Sequence, residues 1–270
     1  MTTTEQLYQL YLQHPAISTD TRKIATDSLF FALKGDKFDA NTFAQQAIEA
    51  GAAYAIIDNP EYKFNDRCLL VADVLAALQD LARHHRKQLT IPVIGLTGTN
   101  GKTTTKELIN AVLSQHFTTL ATQGNLNNHI GVPLTVLNIN ASHQMVVIEM
   151  GANHIKEIEV LCSIAQPTHG LITNVGKAHL EGFGSIEGVK IAKGELYDFL
   201  APQPQKGITF VNSNSAALMD MQAARKFAVP PVFYGDAIDD LVSGEITENA
   251  PLLSVKWTNN SSGESYVVKT

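Results

Sequence analysis

Cysteine is scarce: of 270 residues only Cys68 and Cys162 carry a thiol, far apart, in apolar surroundings, forming neither a CxxC pair nor a metal-ligand spacing. This excludes a disulfide framework and a thiolate metal site, and it points to the reducing cytosol. Long apolar runs are missing as well. No stretch approaches the ~18 apolar residues of a membrane span, and the N-terminus MTTTEQLYQLYLQH has no basic stretch followed by an apolar core. Neither membrane insertion nor export is expected. Charge of one sign is not concentrated anywhere, since 26 acidic and 20 basic residues give a formal charge of -6 without a block of like charges. That argues against a nucleic-acid partner. A phosphate-bearing ligand remains compatible, because a binding loop uses backbone N–H groups and one or two lysines rather than net charge. Tandem repeats are absent, and the proline-rich stretch APQPQK at Ala201–Lys206 is short enough for an ordinary helix-to-strand connection. A monomer is expected.

What is present is a 44% share of apolar residues, enough for a substantial core. From Met1 to about Lys87 the pattern gives short strands around Ala16–Thr19, Leu29–Leu33, Tyr54–Ile57 and Leu69–Val71, with helical patterns at Asn41–Ala50 and Asp73–Lys87. A small mixed α/β domain over residues 1–88 is expected. From Ile91 strand and helix alternate: VIGLT, a Lys102–Gln115 helix, MVVIEM, an Ile155–Ala165 helix, GLITNV, an Ile186–Leu200 helix and GITFV. Continuous apolar strands of this kind suit a mostly parallel, P-loop-type sheet with helices on both faces, over residues 89–270. The boundary is expected near Leu89–Pro92. After Pro231, LLSVKW, the polar turn TNNSSGES and YVVK predict an antiparallel hairpin joined to the sheet.

The strongest chemical signal is Gly98-Thr99-Asn100-Gly101-Lys102-Thr103-Thr104, placed directly after the strand VIGLT and directly before a helical pattern. Glycines let the backbone approach a phosphate, loop and helix N–H groups face the anion, Lys102 reaches the terminal phosphates, and Thr103 puts its hydroxyl on magnesium. The residue five before Gly101 is Leu96, where the general pattern has glycine, so the loop is a variant. Glu149 ends the strand MVVIEM, and Asn174 and His179 follow GLITNV, so all three are expected at the carboxyl edge of a parallel sheet beside the loop. By residue type alone, Glu149 is a solvated strand-end carboxylate, His179 an ordinary surface or core histidine, and Lys193 one more solvated lysine. Asn125, Asn127 and Asn128 lie in a glycine-bounded loop after the strand TTLA, and could equally be turn formers. Thr21, Arg22, Lys34 and Gly35, in DTR and KGD, read without further context as polar turns, although Arg22 and Lys34 suit a pyrophosphate and Gly35 a close backbone approach.

Taken together these strings resemble one family. GTNGKTTT, from Gly98 to Thr105, resembles the ATP-binding loop of the Mur ligase and folylpolyglutamate synthetase superfamily, and EMGAN, TNVGKAHLEGFGS and AKGE follow in the family's order. GNLNNHIGVPLT is similar to the substrate loop of the members that add D-alanyl-D-alanine, and Ser18–Arg22 with LFFALKGDKFDAN resembles the uridine-nucleotide-binding domain. Lys177 stands where the family usually has proline.

The resemblance implies an ATP-dependent amide-forming ligase of peptidoglycan precursor synthesis, with UDP-N-acetylmuramoyl-tripeptide and D-alanyl-D-alanine as substrates and an acyl phosphate as intermediate. It implies two magnesium ions, one on Thr103 and Glu149, the second on His179 and a carbamylated Lys193, with Lys102, His179 and Lys193 as catalytic residues. ATP contacts are expected from Gly98 to Thr104 and at Asn174; substrate contacts are expected at Thr21, Arg22, Lys34, Gly35, Asn125, Asn127 and Asn128. A sibling ligase adding a diamino acid and a folylpolyglutamate synthetase are the enzymatic alternatives, and GNLNNHIGVPLT speaks against both. The family's adenine-contacting segment and C-terminal domain are not found before Thr270, so the 270 residues alone are expected to bind ATP weakly with little or no turnover, as a binding module would.

Overall fold

The computed structural model describes residues 1–35, 37–176, 180–204, 207–237 and 239–269. The chain opens with helix α1 (Thr4–Gln13), closed at its start by a reciprocal cap in which Thr3 Oγ1 accepts from Gln6 N and Gln6 Oε1 from Thr3 N. Strands β1 (Ile17–Ser18) and β2 (Leu29–Phe31) follow, then a two-stranded antiparallel ladder of β3 (Lys34–Gly35) and β4 (Phe38–Asp39). The single helix expected over Asn41–Ala50 is in fact a 3-10 turn, Ala40–Phe43, leading into α2 (Ala44–Glu49). The cause is side-chain competition: Asp39 accepts from both the backbone and side-chain nitrogens of Asn41, which tightens the first turn. β5 (Tyr54–Ile57), β6 (Cys68–Leu70) and α3 (Val74–Lys87) complete this region.

Strands β1, β2, β5 and β6 form a parallel sheet in the order β1-β2-β5-β6. Side chains alternate across it. Phe30, Ala55 and Ile57 meet Ala44, Ala47 and Ile48 of α2, whereas Leu29, Phe31 and Ile56 join Leu7 and Tyr11 of α1 and Leu78 and Leu81 of α3.

The second sheet is built from β7 (Val93–Thr97), α4 (Lys102–Leu113), β8 (Thr119–Ala121), α5 (Gly131–Leu137), β9 (Met145–Glu149), α6 (Glu157–Ala165), β10 (His169–Ile172), α7 (Leu180–Phe183), α8 (Ile186–Leu200), β11 (Ile208–Asn212), α9 (Ala216–Ala223) and β12 (Val232–Gly235). β13 (Val242–Asn249), β14 (Leu253–Asn259) and β15 (Glu264–Lys269) extend it. The order is β15-β14-β13-β12-β11-β10-β7-β9-β8, parallel from β8 to β13 and antiparallel through the last two pairings. The expected β14–β15 hairpin is present, and the polar strand β13, which the sequence reading did not anticipate, joins it to the sheet.

Helices lie on both faces. Ile94, Leu96, Val147 and Leu171 pack toward Ile109 and Leu113 of α4, while Val93, Val146, Ile148 and Ile172 face α5, α6 and α8. Because the chain leaves β7 for β8, returns to β9 and then crosses to β10, the order reverses around β7, which places a crevice at the carboxyl ends of β7, β9 and β10.

The two sheets are separate hydrogen-bonded units, yet one apolar cluster runs from α1 through α3 into α5 and α6. Polar contacts fix this layer: Tyr11 Oη donates to Leu137 O (2.6 Å), His85 Nε2 to Ile139 O (2.8 Å), and the buried Arg86 guanidinium to the carbonyls of Ala165, Gln166 and Leu89. Among the described residues no helix is long and apolar enough to cross a membrane, and both cysteines are buried and unpaired.

Candidate functional site

Every residue of β7 is buried, so the chain must turn abruptly as it leaves the sheet. Gly98 makes the turn at φ +149°, where a Cβ would sit 2.0 Å from Thr173 Oγ1; no other residue fits. Gly101, at φ +76°, starts α4, whose N-terminus has no side-chain cap, leaving the first-turn N–H groups to face the loop.

The loop is stitched to the end of β10. Thr99 N donates to Asn174 O (3.0 Å), Asn100 N to Asn174 Oδ1 (3.0 Å), Asn174 Nδ2 to Asn100 O (2.9 Å) and Thr173 Oγ1 to Asn100 O (2.7 Å). Asn174 therefore stands beside the loop as expected, with both side-chain atoms engaged by the Asn100 backbone. Thr104 is exposed in the first turn of α4.

Lys102 Nζ donates to Gly98 O (2.9 Å) and Thr99 O (3.0 Å). Burial lowers its pKa, and the nearby Glu149 charge opposes that shift. The Glu149 carboxylate, 2% exposed, joins three elements: Oε2 accepts from Thr103 Oγ1 (3.0 Å) on α4, Oε1 from Asn127 Nδ2 (2.8 Å), and its backbone N donates to Thr122 Oγ1 (3.0 Å) after β8. Asn127 also accepts at its carbonyl from Gly151 N (2.8 Å). Glu149 is thus no solvated strand end; it is the shared acceptor of the phosphate helix and the asparagine loop.

Lys193, 3% exposed on α8, donates to Ala152 O (3.2 Å) and lies 5.2 Å above the Phe183 ring. Burial, reinforced by the positive charge of Lys102 and opposed by Glu157 and Glu195, brings its pKa down to about 8. Two residues on, buried Glu195 accepts from the backbone N of Lys156 (2.6 Å) and Glu159 (2.9 Å), supplying the cap that the left-handed Lys156 (φ +78°) cannot give α6. That distant cap explains why α6 starts at Glu157 rather than at Ile155.

A cleft of about 690 Å³ opens over this floor and is lined by Gly98, Thr99, Lys102, Asn125, Asn127, Asn128 and Lys193. His129, Asn153, Lys156, Glu157 and Phe183 line it too, and the sequence reading missed them. For Lys156 and Glu157 the signal was the stretch directly after EMGAN, where Glu157 accepts from the N–H groups of Asn153 (2.6 Å) and His154 (3.1 Å); His129 and Phe183 stand within the strings GNLNNHIGVPLT and TNVGKAHLEGFGS. His179 and Lys177 lie outside the described residues. Among the described residues no group of three or more His, Cys, Asp or Glu side chains converges as an all-protein metal cage. The Thr103–Glu149 pair instead suits magnesium held jointly with phosphate oxygens and water.

The four residues expected to hold a uridine nucleotide do not line this cleft. Thr21 opens a 3-10 turn, exposed Arg22 pairs with Asp20 (2.6 Å), Lys34 pairs with Asp58 (2.7 Å), and a Cβ on Gly35 would lie 2.5 Å from the Phe38 ring. Asp58 follows β5 and Lys34 follows β2, so Lys34 and Asp58 occupy the carboxyl edge of the first sheet.

Comparison with known proteins matches residues 96–267 to the Mur ligase middle domain and residues 15–86 to the model described as Mur ligase family, catalytic domain. The UDP-N-acetylmuramoyl-tripeptide--D-alanyl-D-alanine ligase of Escherichia coli K12 is 43% identical over 208 residues, which are 77% of this chain and 45% of that protein. The crystal structure of MurF from Acinetobacter baumannii superposes with a TM-score of 0.82 at 33% identity, over 97% of this chain and 59% of that one. MurF ligase from Thermotoga maritima in complex with ADP gives 0.81 at 27% identity, over 96% and 58%. The chain spans about half the length of the curated relatives it matches. With a sheet reversing around a glycine loop, a carboxylate bridging that loop to an asparagine segment, and a middle-domain match from residue 96 to residue 267, the chain belongs to the Mur ligase family.

Proposed function

We propose that this chain carries the ATP site and the muramoyl-peptide site of a ligase that joins D-alanyl-D-alanine to UDP-N-acetylmuramoyl-tripeptide. The observation that carries the reading is the Glu149 carboxylate, hydrogen-bonded at once to Thr103 of the phosphate helix and to Asn127 of GNLNNHIGVPLT. One carboxylate thereby ties the nucleotide half of the cleft to the substrate half.

In this reading the tripeptide's terminal carboxylate oxygen attacks the γ-phosphorus of ATP and ADP leaves. The amine nitrogen of D-alanyl-D-alanine then attacks the acyl carbon, phosphate departs and the amine loses a proton. Lys102 turns from the Gly98 and Thr99 carbonyls to the transferred phosphoryl group, where its charge is needed. Thr103 and Glu149 would hold one magnesium, and a carbamylated Lys193 with His179 would hold a second. Magnesium supplies charge neutralisation between two anionic reactants that otherwise repel. Lys193 suits carbamylation because only a neutral amine adds carbon dioxide, and burial favours the neutral form. The Nζ of a carbamate keeps one hydrogen, enough for the bond to Ala152 O.

Thr21, Arg22, Lys34 and Gly35 are assigned to the uridine nucleotide, on a unit of residues 1–88 whose strand ends offer these polar groups. Residues 89–270 form the nucleotide unit, and a cytosolic monomer fits the composition. The test is phosphate release from ATP and magnesium by the protein carrying this chain, with UDP-N-acetylmuramoyl-tripeptide present, D-alanyl-D-alanine added or omitted, and Lys102→Ala as control. Release requiring both substrates and lost in the control supports the assignment. Release with a diamino acid or glutamate as acceptor instead moves it to a sibling ligase.

A further inference from the structure

Lys106 is the one buried residue of α4 and is 1% exposed, yet it takes no part in the chemistry above. It lies one turn beyond Lys102, with Nζ 2.7 Å from Thr122 O and 2.8 Å from Glu107 Oε1. Burying an ammonium is costly unless its hydrogens find acceptors, and an apolar side chain of similar length would fill the same space. The placement of its acceptor is therefore informative.

Thr122 is the residue at which the chain leaves β8 for the asparagine loop, and it is fully buried. Its backbone N donates to Val147 O (3.0 Å), and its Oγ1 accepts from Glu149 N (3.0 Å). One continuous path thus runs from α4 through Lys106 Nζ and Thr122 to the backbone of Glu149. The same carboxylate closes the path by accepting from Thr103, three residues before Lys106 on α4, and from Asn127, five residues after Thr122.

The rest of α4 supports this view, because the helix is weakly held by apolar contacts. Leu108 is 52% and Val112 71% exposed, and Ile109 and Leu113 provide its packing against the sheet. Toward β8 it shows a polar seam at i, i+4 and i+8: Lys106 on Thr122 O, Asn110 Oδ1 accepting from Thr119 Oγ1 (2.7 Å), and Ser114 Oγ beside the same hydroxyl (2.5 Å). Lys106 is the end of that seam nearest the phosphate loop.

We infer that Lys106 is a positioning residue: it pins the root of the asparagine loop to the phosphate helix, so that Thr103, Glu149 and Asn127 meet in the geometry that receives a magnesium nucleotide. The inference deepens the proposed function and rests on it for the ligand, though the pinning itself does not.

The test uses this chain with Lys106→Met, which keeps length and packing and removes the donor. Hydrogen–deuterium exchange of the amides of Gly124–Ile130 should speed up by about tenfold, as expected when one hydrogen bond holding a local segment is lost, with β10 and α8 unchanged. The magnesium concentration for half-maximal ADP binding should rise by about fivefold or more, while ADP binding in EDTA stays as in the parent, since the loop glycines are untouched. Exchange unchanged over Gly124–Ile130, or raised equally in β10 and α8 as a merely structural lysine would give, overturns the inference. If Lys106→Met does not fold, Thr122→Val decides: it keeps the lysine contact and removes the acceptor of Glu149 N–H, and an unchanged magnesium requirement would refute the path. Should the parent chain bind no ADP with magnesium, the proposed function fails, and the exchange measurement alone judges Lys106.

Discussion

Lys193→Met should stabilise the chain at neutral pH, although the residue lines the cleft. Its pKa falls from 10.5 in water to about 8 in the fold, chiefly through burial. At ~1.4 kcal/mol per pH unit, holding the charged form in place costs about 3 kcal/mol wherever both states are protonated. Methionine avoids that cost but loses the hydrogen bond to Ala152 O, worth about 1 kcal/mol net, and any attraction to the Phe183 ring, worth about 1 kcal/mol at most. The expected gain at pH 7 is therefore about 1–2 kcal/mol.

The sign must change with pH. A base with a depressed folded pKa binds fewer protons folded than unfolded between about 8 and 10.5, so parental stability rises with pH through that window and the cost disappears above it. Near pH 10 about 1 kcal/mol of that cost remains, because the unfolded lysine is still mostly charged, so the lost hydrogen bond should bring the variant level with the parent; above about pH 10.5 the variant should be the less stable by about 1 kcal/mol. Urea denaturation of both proteins at pH 7, at pH 10 and above pH 10.5 in carbon-dioxide-free buffer measures the crossing. Bicarbonate at pH 8 should then stabilise the parent and leave the variant unaffected. A variant destabilised equally at every pH would refute the reasoning, since Lys193 would then carry no burial cost.

Gly98→Ala should destabilise the chain by about 2 kcal/mol or more and abolish ADP binding, because its Cβ meets Thr173 Oγ1 at 2.0 Å in a backbone region hostile to L-residues; calorimetry of both properties checks it. Thr103→Val should weaken ADP binding about tenfold or more with magnesium and little in EDTA, as it removes one donor to Glu149 and one oxygen for the metal; equal losses in both conditions would disprove the assignment. His85 is a buried base with a lowered pKa, its Nε2 on Ile139 O and its Nδ1 without a partner among the described residues, so protonation would bury an unmatched N–H. Its folded pKa lies below 6.5, so stability should fall as pH drops through 6.5; His169 acts with the same sign. His85→Leu should flatten the slope of melting temperature between pH 7 and pH 5 without removing it.

The parts of the fold legible in the sequence were those fixed locally. The run VIGLT followed by GTNGKTT gave β7, the loop and α4, because a buried parallel strand is apolar throughout and a phosphate loop needs glycine at positive φ. Tyr54–Ile57 and Ile186–Leu200 likewise appear with the bounds their patterns predicted. α5 was missed because it is buried nearly all round and contains Gly131 and Pro133, so it shows neither amphipathic period nor strong helix propensity. α9 and β13 also went unread; β13 interrupts its strand formers with Gly244 and glutamates. The strand predicted over GLITNV stops at Ile172, since Thr173 and Asn174 are drawn onto Asn100, more than 70 residues earlier in the chain. The site divides in the same way. Gly98 to Thr103, Glu149 and Asn127 could be proposed from motif strings, whereas Glu195 and Lys106 contact partners 36 to 39 and 16 residues away, which no local pattern announces.

The glycine loop and the strand ends beside the cleft are saturated by their own hydrogen bonds, and this constrains how the site can bind. Lys102 is bound to loop carbonyls, Glu149 to Thr103 and Asn127, and Asn174 to Asn100, so an entering anion finds no idle side chain among them. Binding must exchange contacts, and an exchange of hydrogen bonds between neutral partners contributes little net free energy. The gain has to come from charge: an ammonium leaving two carbonyls for a phosphate, and a carboxylate leaving a hydroxyl and an amide for a cation. Both exchanges convert charge–dipole contacts into charge–charge contacts inside a partly desolvated cleft, where such contacts are strongest. They are also coupled, because a phosphate alone would face the Glu149 carboxylate unscreened, and a cation alone would find too few protein oxygens. Under the proposed function this arrangement would take nucleotide and magnesium together, with Asn127, released from Glu149 by the same event, free to turn its amide toward the substrate carboxylate.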